Sequence, residues 1–100
     1  MKKIDLTKDE LKIILKILKN RQDTVVFGSR AKGKSKKFSD LDICLKDSIK
    51  DSEYELLKEA FEESNLPFKV DLIEYDKISV FFKDLVDKEG IKISDISCIN

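Results

Sequence analysis

The sequence predicts a small α/β (α+β) domain in which a mixed β-sheet is flanked by helices. Three stretches carry apolar residues at helical spacing. Short apolar runs bounded by turn residues lie between them, and the two kinds alternate along the chain. The 100 residues are expected to form one domain, 1–100, with no spare length for a separate substrate-binding domain.

Taken in order, Thr7 with Glu10 three positions on is a capping-box pattern. Leu11, Ile14, Leu15 and Leu18 then recur at i, i+3, i+4 and i+7, which predicts a helix over 8–20 ending near Asn20. Thr24-Val25-Val26-Phe27 is short, β-branched and apolar and stops at Gly28, as a buried strand does. A polar stretch from Ser29 to Ser39 follows, carrying Arg30, Lys32, Lys34, Lys36 and Lys37. A second strand is expected from Asp40 to Leu45, with a turn at Asp47 and Ser48. Helical period returns over 52–64 through Tyr54, Leu57 and Phe61, and Asn65 and Pro67 stop it. Phe68 to Tyr75 alternates well enough for a third strand. Ile78, Phe81, Phe82 and Leu85 mark a helix over 77–88 that Gly90 is placed to end, and Ile91 to Ile93 is a short final strand. All three apolar stripes are read as core faces.

Composition narrows the chemistry. The apolar share of 41% and the charged share of 40% suit a globular protein with a heavily charged surface. There is no histidine, so Ser-His-Asp and Cys-His catalysis and histidine-held zinc are excluded. Cys44 and Cys98 form neither a CxxC pair nor a disulfide framework. Cys44 reads as a small core residue, Cys98 as a terminal residue without a role. The charges cancel overall, yet residues 1–50 hold 14 basic and 7 acidic side chains while residues 51–100 hold 6 and 13. Such polarity suits an anionic ligand near the first half, or simply reflects helix faces. The charged N-terminus and the lack of a long apolar run lead us to expect a cytoplasmic chain with no membrane span.

Gly28 to Ser35 satisfies the text pattern G-x-x-x-x-G-K-[ST] and follows a strand. A true phosphate loop of that kind opens a helix, whose first amides hold the phosphates. Here only Lys36-Lys37-Phe38-Ser39 separate Ser35 from the next strand, about one helical turn. That excludes the reading. Asp40-Leu41-Asp42 carries more weight. Residues i and i+2 of a strand share a face, so both carboxylates emerge together. Two such neighbours repel unless a cation sits between them. Mg²⁺ is a hard ion commonly held by one or two carboxylates plus substrate phosphates. The Gly28-Ser29 turn lets backbone amides approach a phosphate, and the cationic loop lies between turn and carboxylates. A second metal would need another carboxylate. Asp71 is the candidate, because a charge inside the apolar run Val70-Asp71-Leu72-Ile73 is costly unless paired or metal-bound. The alternative is an aspartate on the solvated face of an edge strand.

The run Gly28 to Gly33, then Ser39-Asp40-Leu41-Asp42, then Val70-Asp71-Leu72 resembles the minimal nucleotidyltransferases of the DNA polymerase β-like superfamily. The branch it is most similar to is the antitoxin of HEPN/MNT toxin–antitoxin pairs. Lys32 departs from the arginine that many members carry, but keeps the charge. The resemblance implies a single nucleotidyltransferase domain. It implies that Gly28 and Ser29 bind the nucleotide, with Arg30 and Lys32 supporting the loop or its charge. Asp40 and Asp42 would hold Mg²⁺, and Asp71 would complete the metal site and help deprotonate an acceptor hydroxyl. The implied reaction is AMP transfer from ATP to a hydroxyl, such as a tyrosine's, of a HEPN-type toxin in a hetero-oligomer. No direct nucleic-acid partner is expected, since Phe38 is the only aromatic near the basic loop. Two other readings stay open: neutralisation of the partner by contact alone, and transfer to a small-molecule alcohol.

Overall fold

The computed structural model describes residues 2–19, 21, 23–36 and 38–98, and of residues 2, 3, 97 and 98 the backbone only. Its elements are β1 (Lys2–Ile4), α1 (Lys8–Leu18), β2 (Thr24–Phe27), β3 (Leu41–Leu45), α2 (Asp51–Glu62), β4 (Val70–Glu74), α3 (Val80–Glu89), β5 (Ile91–Lys92) and β6 (Ile96–Cys98). The main sheet is mixed, with strand order β4-β3-β2-β5. β2 is antiparallel to both β3 and β5, and β3 is parallel to β4. β1 and β6 form a separate parallel pair. No helix among the described residues is long and apolar enough to cross a membrane.

Helix α1 starts where its sequence says it should. The Thr7 hydroxyl accepts from Glu10 N at 3.1 Å and Thr7 N donates to the Glu10 carboxylate at 2.9 Å, closing the capping box. It ends at Leu18; the expected end near Asn20 lies outside the described residues. The sheet separates two apolar layers. Val26, Leu41, Ile43, Leu45 and Leu72 face one layer with Ile14, Leu18, Phe61 and Phe68. Val25, Phe27 and Cys44 face the other, under Val86 of α3. Cys44 is fully buried, as its apolar run implied. The Cys98 side chain lies outside the description.

The third stripe departs furthest from a core face, though Leu15 of the first is also 42% exposed. Val80 and Phe81 are 80% and 90% exposed, and Phe82 and Leu85 remain over a third exposed. The helix also begins later than the stripe, because Tyr75–Lys77 form a 3₁₀ turn and Ser79 supplies the cap, its hydroxyl accepting from Phe82 N at 3.2 Å. That start turns Val86, and the Phe82 ring with its centroid 5.7 Å from that of Phe27, toward the sheet and leaves Phe81 outside. Periodicity reports that a helix has an apolar side; it does not report what covers it.

Candidate functional site

The site grows from the end of β2. Phe27 stands opposite Asp42 in the antiparallel register, and Asp42 stands beside Asp71 in the parallel one. Three neighbouring strands thus bring the Gly28 turn and two carboxylates together on the sheet face that α3 partly covers. Asp40 precedes β3 by one residue and is exposed. Gly28 adopts φ +80°, and a Cβ there would collide with the Asp42 carboxylate. Only glycine lets the backbone turn that close to the acid. The chain then winds through a compact loop, with Lys32 N donating to Gly28 O at 3.2 Å and Lys34 N to Ser29 O at 2.9 Å. Among the described residues before β3, no helix opens at Ser35. Its hydroxyl instead donates to the Asp5 carboxylate at 2.7 Å, so the residue that a P-loop would use is tied to β1's end.

Electrostatics mark Asp42. Loss of hydration, then Asp71, then Asp40 push its carboxyl up from the ordinary 3.8 to about 6. None of the ion pairs among the described residues engages Asp40, Asp42 or Asp71. Crowded acids with no cation of their own fit a divalent metal. Equally, no three acidic or cysteine side chains among the described residues are drawn together as a ready-made metal cage. Mg²⁺ does not require one, since it keeps waters and takes substrate phosphates as ligands.

Asp71 corrects one step of the sequence argument. It is exposed, and β4 is an edge strand, so the cost of a buried charge does not single it out. Its register beside Asp42 does. The cations sort differently as well. Arg30 is only 5% exposed and points inward, Nη1 donating to Asp5 O at 2.7 Å and Nε to Ser39 O at 3.0 Å. These contacts tie its loop to the backbone at Asp5 and Ser39. Lys32 pairs with Glu89 at the end of α3, and Lys34 and Lys36 are exposed. Lys37 lies outside the described residues. Sequence reasoning passed over Asp5 and Phe68. Both lie far from the loop in sequence, and nothing local marks them.

A cavity of about 380 Å³ opens beside Asp71, between α2 and β4, lined among others by Tyr54, Lys58, Phe61 and Lys69. Of the three carboxylates only Asp71, on the edge strand β4, lines it.

Residues 9–97 match the family model described as polymerase beta nucleotidyltransferase. The chain is 38% identical over 97 residues to a probable protein adenylyltransferase MntA of Haemophilus influenzae, covering 92% of this chain and 85% of that protein. Among solved structures it resembles a crystal structure of a toxin–antitoxin with AMP-PNP, at a TM-score of 0.67 and 25% identity over 83% of this chain and 71% of that one. A mutant of the toxin–antitoxin MntA-HpeT superposes with a TM-score of 0.59 at 20% identity, over 83% of this chain and 70% of that one, a likeness of fold.

Proposed function

The chain belongs to the polymerase beta nucleotidyltransferase family, and from that premise we propose that it is an antitoxin that transfers AMP from ATP to a hydroxyl of its HEPN-type toxin partner. The observation that carries this reading is the register that sets Asp42 beside Asp71, directly against the Gly28 turn. The likeness to an adenylyltransferase and to a toxin–antitoxin that binds a nucleotide analogue supports it.

In this reading Gly28 and Ser29 present backbone amides to the triphosphate, which the close, glycine-only turn allows. Asp40 and Asp42 would hold Mg²⁺, with Asp71 as the further ligand; the metal supplies charge stabilisation for in-line displacement at the α-phosphorus. Asp71, exposed on the open strand edge, would accept the proton of the attacking hydroxyl. The new bond joins the acceptor oxygen to the α-phosphorus, the bond to the bridging oxygen breaks, and pyrophosphate leaves. Arg30 and Lys32 act on the loop itself, one through the interior and one through α3.

Transfer of α-labelled AMP to the co-purified partner tests the assignment. D40A and D42A are expected to abolish labelling while keeping the folded far-ultraviolet spectrum. Labelling by D42N at the wild-type rate would refute it.

A further inference from the structure

Arg30 joins three segments that sequence keeps apart. Its own carbonyl accepts from Asp5 N at 3.0 Å and from Gly33 N at 3.3 Å, which fixes the loop. Its Nε donates to Ser39 O at 3.0 Å. That oxygen belongs to the planar peptide unit whose nitrogen is Asp40's, so the bond orients the backbone entering the Asp40-Leu41-Asp42 run. Its Cζ lies 3.9 Å over the Phe68 ring, one residue before Lys69, whose carbonyl accepts from Leu41 N at 2.8 Å and makes a first rung between β3 and β4. One rung further in stand Asp42 and Asp71.

We propose that Arg30 is a positioning residue: it locks the Gly28 loop, the backbone before Asp40 and the start of β4 into one register, and so holds the carboxylates at the spacing a metal–nucleotide complex needs. This rests on the nucleotidyltransferase reading above. The guanidinium is suited to the task in a way an ammonium is not. Its rigid planar fork sends donors to two carbonyls in different directions while its face stacks on an aromatic ring. At 5% exposure it faces the interior, not the open side of the loop where a triphosphate would lie.

The test uses the full chain with R30Q, R30K and F68L, which takes the ring from under the guanidinium and keeps an apolar side chain in the core. Four quantities are read: the thermal midpoint, the Kd for ATP, the affinity of the nucleotide-loaded protein for Mn²⁺ as a spectroscopic probe, and AMP transfer to the partner. For R30Q we expect ATP affinity within about twofold of wild type, Mn²⁺ affinity lower by about tenfold, and kcat lower by about tenfold or more. F68L should shift the same quantities in the same direction but less, and it decides the matter if R30Q does not fold. R30K should recover little, since it restores charge without the fork. Three results would overturn the proposal: a loss of ATP affinity with Mn²⁺ binding intact, full rescue by R30K, or folded variants with unchanged constants and only a lower thermal midpoint. The functional reading fails separately, on the wild-type chain, if that chain transfers nothing.

Discussion

Replacing Gly28 and Gly33 in parallel separates backbone strain from damage to the site. Both glycines have positive φ, +80° and +70°. An alanine in that region costs about 1–2 kcal/mol, and for a domain of this size each kcal/mol lowers Tm by about 4–8 °C. The two positions therefore share a stability penalty. They differ in what the new methyl group meets. At Gly33 the nearest atom is Asp5 Oδ1 at 3.9 Å, ordinary contact. At Gly28 it overlaps the Asp42 carboxylate, with Asp42 Cγ at 3.1 Å and Cβ at 3.4 Å behind it. The acid must swing aside, and a displacement of about 1 Å at a reacting centre costs about 100-fold in rate. G28A and G33A should melt at similar, lowered temperatures. AMP transfer below both melting points should fall by about two orders of magnitude in G28A and stay within a few-fold of wild type in G33A. Equal activity in the two variants would refute the claim that the turn is packed against Asp42.

Other expectations follow from single residues. The Asp42 carboxyl titrates near 6 in the folded chain against an ordinary 3.8. The fold thus binds that proton more tightly than the unfolded chain, and without metal it loses stability as pH rises through that window. D42N removes the effect, so it should have a higher urea midpoint than wild type at about pH 7.5 and lose that advantage near pH 4; an equal gain at both values would contradict the assignment. Burial pushes the Cys44 thiol up to about 11. In a C98S background the native chain should therefore resist thiol reagents until it unfolds, and rapid native labelling would show that the second apolar layer is open. Phe81, 90% exposed, contributes little to folding. F81S should leave stability within about 0.5 kcal/mol, and a larger drop in the urea midpoint would mean that α3 is packed differently.

Much of this was legible in the sequence because it is local. The capping box, the strand ending at Gly28 and the shared face of Asp40 and Asp42 depend on residues a few positions apart. The strands lost a residue or two at their ends where pairing stops, as at Phe68 and Lys69 before β4. β1 and β6 were missed because three residues give no alternation to read, and each exists only through the other. The cost of a buried charge does not apply to Asp71 on its exposed edge strand; what sets it beside Asp42 is register, which is a property of two strands. The contacts of Arg30 and Asp5 are not legible in the same way. A buried guanidinium and a phosphate ligand look alike in a chain of letters; the difference lies in Ser39, Asp5 and Phe68, which only the fold brings around it.

Covalent transfer to a protein partner shows in the intact mass of that partner. The co-expressed HEPN-type protein is incubated with this chain and Mg·ATP, with and without D42A in the chain, and its ribonuclease activity is followed alongside. We expect a gain of one or more AMP units with wild type, none with D42A, and silencing that persists after the two proteins are separated. An unmodified partner that is silenced only while bound would contradict it and make this chain an antitoxin by contact alone.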